Sequence, residues 1–184
     1  MKKSFYAENL HKGFSIVILL SCAGRLEDEA GRPAAGQTGK NLEMILKKLG
    51  LSRARVTINN ASDKVFFAAK DDGRTEARPA EILSPRNIRR LKRELLPDAK
   101  IIIAMGTNAY KAATALKKLC PELIVIKARH PGFSSLNRIK VDCNKNPITV
   151  EGSDATKLRI EVVVKKIKEQ EKMLLKGKKL KSFR

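Results

Sequence analysis

Cysteine, histidine and acidic side chains are all scarce in this 184-residue chain. The three cysteines, Cys22, Cys120 and Cys143, are odd in number, far apart and free of any C-x-x-C pair. They give no disulfide, zinc or cluster framework and suit a reducing, cytoplasmic setting. No run approaches the roughly 20 apolar residues of a membrane-spanning helix. Only two histidines are present, and His11 has no setting comparable to that of His130. Asp and Glu number 19 against 39 Lys and Arg, leaving a formal net charge of +20. A folded domain with that excess repels itself, and the partner that offsets it is a polyanion, nucleic acid before an anionic membrane surface.

The apolar content, 42% of residues, is enough for a core and excludes a fully disordered basic protein. The length fits one domain with at most a tail. Met1-Lys2-Lys3 followed by an apolar run and Cys22 superficially resembles a lipoprotein signal. Glu8 and His11 interrupt it, however, and its apolar run is short.

Phe14 to Ser21 is a continuous, β-branched apolar run, as expected of a strand buried on both faces of a parallel sheet. A loop rich in Gly and charge follows, from Cys22 to Lys40. Leu42, Ile45, Leu46 and Leu49 then fall on one helical face, and Gly50 supplies the stop. Further strands are expected over 54–60, 100–105 and 123–128. Ser84 as N-cap with Pro85 at the first helical position opens a helix ending at Leu96, and a second helix spans 107–119. The stretch 61–79 has no clear period and reads as a long loop, 140–150 as a hairpin, and 156–176 as a helix. This alternation predicts an α/β fold, a three-layer sandwich around a mostly parallel four-stranded sheet. Residues 1–155 form the α/β domain and 156–184 a basic helical extension whose end is solvated and mobile. In such a sheet the site lies beyond the carboxyl ends of the strands, which here deliver the Ser21, Asn60, Gly106-Thr107 and His130 loops to one rim.

Four segments in order resemble the uracil-DNA glycosylase superfamily, chiefly its bacterial and archaeal branches: Leu20 to Gly39, Val56-Thr-Ile-Asn-Asn60, Lys100 to Asn108, and His130-Pro-Gly-Phe-Ser-Ser135. The resemblance spans about residues 14 to 140. It implies a fold of the superfamily's type and hydrolysis of an N-glycosidic bond after the nucleotide has been flipped out of the duplex. That chemistry needs a donor to the departing base and a polar group placing water on the far face of an oxocarbenium-like sugar.

By resemblance, His130 is the donor to the base. Asn60 reads the base edge, because an amide pairs with an adjacent acceptor and donor. Ser21, Cys22, Ala23 and Gly24 line the base, and the 131–136 loop enters the minor groove with Phe133 or Leu136 as wedge. Thr107, Ser134, Ser135 and Arg138 contact DNA, Thr107 from a helix N-terminus suited to phosphate. Two departures stand out. The family's first-motif acid falls on Ser21, which leaves Gln37 or Asp63 to orient water. Its base-stacking Phe falls on Ala34, which opens the pocket toward a base larger than uracil, a pyrimidine with a bulky 5-substituent such as a modified phage base or a deaminated purine, unless Phe66 or Phe67 folds in.

No lysine stands out as a Schiff-base nucleophile, so the expected enzyme is a monofunctional glycosylase leaving an abasic site. No cofactor or metal is expected, and the partner is DNA, bound by a monomer away from any membrane. Its role is either repair or attack on foreign DNA. The alternative is a DNA- or modified-base-binding protein of the same fold that has lost turnover. The last 29 residues carry eleven cations and three acids. They are expected to hold phosphates without affecting base choice.

Overall fold

The computed structural model describes residues 6–67, 69 and 73–176. Five strands form one sheet: β1 (Ala7–Glu8), β2 (Ile16–Leu20), β3 (Thr57–Asn60), β4 (Ile101–Met105) and β5 (Ile124–Ala128), in the spatial order β1-β3-β2-β4-β5. The sequence reading of four strands is corrected to five. The added β1 is two residues long and runs antiparallel to β3, with Ala7 opposite Asn59. It has no hydrophobic pattern of its own to announce it and exists by pairing. The other neighbours are parallel.

Alternation along the strands sorts the core into two layers. Ile18, Leu20, Ile101, Ile103 and Met105 face one way, together with Leu42, Ile45 and Leu46 of α2 (Gly36–Lys48). Val17, Leu19, Ile102 and Ala104 face the other way. There they pack with Leu91 and Leu95 of α4 (Pro85–Leu95) and with Ala109, Ala112 and Leu116 of α5 (Thr107–Leu119). Each of these strands is covered on both faces, which is why its sequence reads as an unbroken apolar run. The apolar run before Cys22 is thus the strand between β3 and β4, so cleavage there would remove the middle of the sheet.

Ser84 caps α4, its Oγ accepting from Asn87 N at 3.4 Å, as its residue type predicts. Two short helices depart from the expected elements, α1 (Arg25–Ala30) within the 22–40 loop and α3 (Pro79–Ile82) between the end of the 61–79 loop and the Ser84 cap. The 140–150 segment turns back on itself, with Ile148 N donating to Lys140 O and Asp142 N to Asn146 O. After the single-turn α6 (Phe133–Leu136), the chain ends its described part in α7 (Gly152–Leu175). The first twenty residues of the segment set apart as an extension, 156–175, lie in this helix, and Ile160, Val163, Val164 and Ile167 are buried in the same cluster as Ile18 and Ile103. Gln170 also pairs with the backbone of Lys127, accepting from its N–H at 3.0 Å and donating to its carbonyl at 2.8 Å. The helix thereby covers the open edge of β5. The expectation of a mobile terminus concerns residues 176–184, of which 177–184 lie outside the described residues.

The connections place the site. From β2 the chain moves to β3 on one side, then crosses back to β4 on the other, so the connections leaving β2 and β4 run in opposite directions. The crevice of such a switch point opens at the carboxyl ends of the strands. The register sets those ends level: Leu20 lies opposite Asn60, Leu19 opposite Ala104, and Met105 opposite Ala128.

Candidate active site

The turns after β2 and β3 run on together beyond the sheet. Ala61 N donates to Leu20 O, Ser62 N to Ser21 O and Phe66 N to Ala23 O, and Ala23 forms a parallel bridge with Val65. Ser21, Cys22, Ala23 and Gly24 therefore lie alongside the segment that carries Asn60 and Asp63. Glu27 braces this turn from within α1, accepting from Gly24 N at 2.9 Å and from Ala35 N at 3.1 Å, so its carboxylate serves the backbone.

Asn60 is 1% exposed, and neither its amide nitrogen nor its amide oxygen has a hydrogen-bond partner among the described residues. Burying polar atoms unpaired costs about 1–3 kcal/mol each, an expense unusual outside functional sites. Its main chain, by contrast, is clamped. Arg90 of α4 donates to the carbonyls of Asn60 and Ala61, both at 3.1 Å, while pairing with Glu94 at 2.6 Å. Asn87 donates to Ala61 O as well, at 2.7 Å. A fixed backbone thus presents an unsatisfied amide.

His130 follows β5. Gly132 N donates to its Nδ1 at 3.0 Å, so the neutral ring carries its proton on Nε2. Burial pushes the imidazole pKa down to about 4, which keeps the ring neutral near pH 7. Two glycines make room for it. A Cβ on Gly132 would stand 2.9 Å from Nδ1, and one on Gly106, whose φ is 109°, would stand 3.6 Å from the His130 Cβ. The loop is tied to α2 by Asn41, whose Nδ2 donates to Pro131 O at 2.8 Å and whose Oδ1 accepts from Gln37 at 2.9 Å.

A cleft of about 1010 Å³ opens beside His130. Gly106, Thr107, Phe133, Ser134, Ser135 and Arg138 line it, together with residues that the sequence reading did not select: Glu76, Lys127, Arg129, Lys166 and Gln170. No periodicity marks Glu76, which sits in the patternless stretch before α3, while Lys166 and Gln170 reach the cleft only because α7 docks on β5. Ser21, Cys22, Ala23, Gly24, Ala34, Gln37, Asn60 and Asp63 are not among the lining residues; Gln37 reaches the His130 loop through Asn41, and the end of β3 and its turn, which carry Asn60 and Asp63, are bonded to the β2 turn.

Of the two wedge candidates, Phe133 is 64% exposed and Leu136 is 2% exposed, held in the core. Leu136 therefore anchors α6, and Phe133 is the side chain free to leave the surface. Ala34 is 1% exposed, with φ at 49°, and its methyl belongs to the α2 layer. Phe66 packs in the opposite layer, beneath the Arg74 guanidinium 5.1 Å from its ring, so it does not stand in for an aromatic at 34. Cys22 is no nucleophile: burial above all, with the charges of Glu76 and Glu27 adding, raises its thiol to about 11.

The strand ends of this doubly covered α/β sandwich thus carry a basic cleft, a neutral, half-buried histidine and, at the end of β3, an orphaned amide. The family model of the Uracil DNA glycosylase superfamily matches residues 13–150. The chain belongs to that superfamily, whose members act on DNA and are generally N-glycosylases. No curated protein matches the chain. Among the described residues no helix is long and apolar enough to cross a membrane.

Proposed function

We propose that this protein is a monofunctional DNA glycosylase that hydrolyses the bond between deoxyribose and a flipped-out pyrimidine, leaving an abasic site. The buried, unpartnered Asn60 amide carries this reading. A base edge with an adjacent donor and acceptor satisfies both atoms at once, and an edge without that pattern leaves them unpaired, so the desolvation already present becomes selectivity. The ends of β3 and β5 are three strand spacings apart, about 14 Å, and in this reading Asn60 and His130 act from two sides of the flipped base. The His130 Nε2–H donates to the carbonyl oxygen of the departing base as negative charge develops there. A neutral donor does this without a proton being given up.

Phe133 fills the gap left in the duplex, and Thr107, Ser134, Ser135 and Arg138 hold the flanking phosphates. Ala34 leaves no aromatic face at its position, which favours a pyrimidine with a bulky 5-substituent over uracil. The balance of +20 supplies the salt-sensitive, sequence-independent part of the affinity.

The test is a panel of oligonucleotides, each holding one modified base, treated with the protein and then with hot alkali. Release of a substituted pyrimidine, no strand break before alkali, and loss of release with retained DNA affinity in His130→Ala are the expected results. Uracil as the best substrate overturns the assignment of the base. A blank panel with intact DNA binding would instead identify a binding protein.

A further inference from the structure

One residue of the His130 cleft is at odds with the rest. Among its described lining residues Lys127, Arg129, Arg138 and Lys166 are cations, and Glu76 is the single acid. In a surface that only grips phosphates, a carboxylate weakens binding by repulsion. Yet this carboxylate, though exposed, is bonded by one side chain, and the backbone on either side of it is tied down. Asn108, the second residue of α5, is buried and donates its Nδ2 to Glu76 Oε2 at 3.4 Å and to Ala77 O at 2.9 Å. The Cys22 Sγ donates to Thr75 O at 3.6 Å. Residues 75–77 are therefore strapped between the turn after β2 and the start of α5. Gly106, two residues before Asn108, lies against His130.

The electrostatics agree with this placement, since the Glu76 charge is felt at Cys22, where it adds to burial in raising the thiol. The α5 N-terminus favours a negative charge beside it. Ser21, the neighbour of Cys22, has no carboxylate to offer, Gln37 donates its Nε2–H to Asn41, and neither Gln37 nor Asp63 lines the His130 cleft.

We propose that Glu76 is the carboxylate that activates water in base release, a role that rests on the glycosylase reading. As the bond from C1′ to the base nitrogen breaks, its electron pair leaves with the base, whose carbonyl oxygen His130 Nε2–H stabilises. The sugar becomes oxocarbenium-like, and the fixed negative charge of Glu76 stabilises it. A water oxygen bonds to C1′ while one of its protons passes to a Glu76 carboxylate oxygen. That proton then neutralises the base anion, through solvent, so one water is consumed, one abasic sugar and one free base are formed, and the carboxylate is restored. The acid of this site comes from a loop some fifty residues beyond the turn it serves, strapped there by Asn108 and Cys22.

The full-length protein, Glu76→Gln and Glu76→Asp are compared in two measurements: single-turnover release of the base that the wild type removes best, and Kd for duplex holding an abasic-site analogue. Glu76→Gln should slow release about 100-fold or more with Kd unchanged or tighter, since a repulsive charge is gone, and Glu76→Asp should fall between. Opposite movement of rate and affinity is not what a merely structural residue gives. Release by Glu76→Gln within about threefold of wild type overturns the proposal, as does a parallel loss of rate, affinity and Tm. If the wild type releases no base from any oligonucleotide, the glycosylase reading itself fails and this role with it; an active wild type and an equally active Glu76→Gln refute the role of Glu76 alone.

Discussion

Replacing His130 by Gln should make folding less sensitive to acid. The ring is half-buried and poorly solvated and its Nδ1 accepts from Gly132 N, so protonation both places a cation in a desolvated site and removes the acceptor. Desolvation lowers the pKa from 6.5 to about 4. Between those values the unfolded chain binds more protons than the folded one, and stability falls as the pH falls. Above 6.5 the ring is neutral in both states and contributes no slope; below about 4 the loss is complete. At about 1.4 kcal/mol per pKa unit the window amounts to roughly 3 kcal/mol. Urea unfolding followed by circular dichroism at several pH values, on wild type and His130→Gln, isolates the contribution, because groups such as Asp142 and Asp154, held ionised by their hydrogen bonds, titrate in both proteins. Wild type should lose roughly 3 kcal/mol more than the variant on going from neutral pH to pH 4. Parallel stability curves would refute the burial argument, and with it the neutral Nε2–H donor.

Two further predictions separate surface from core. Phe133→Ala should leave stability within about 0.5 kcal/mol, since the ring is largely exposed, while slowing release from duplex more than from single strands. A loss confined to stability would remove the wedge role. Ile167→Ala in α7 should cost about 2–5 kcal/mol in denaturant unfolding, because this side chain is fully buried between helix and sheet. An unchanged midpoint would show that α7 rests on the domain without completing it.

Elements whose burial is written into their own period were legible. The apolar runs at Ile16–Leu20 and Ile101–Met105 are strands, α5 spans the residues its turn and period assign, and Ser84 starts α4. Motif order gave the superfamily and marked the loops that meet at the rim. Elements made by partners were not legible. The two residues of β1 are a strand only because Asn59 and Ile58 lie beside them, and α1 is six residues long, with Glu27 bonding back to Gly24. Phe133 and Leu136 are equally apolar in sequence, and only packing decides that one is core and the other exposed.

The sequence by itself determined the α/β class, the family and a strong positive charge, because each is a property of pattern or composition. The tertiary structure decided which charges face the cleft. Periodicity encodes the direction of a side chain relative to its own strand or helix, whereas Glu76 is placed by Cys22 and Asn108, and Lys166 by the docking of Gln170 on Lys127. Those contacts join segments tens of residues apart, and such distances have no trace in local pattern. The +20 excess therefore forecast a polyanion, and the fold alone located Glu76 as the single acid among the described residues lining the cleft beside His130.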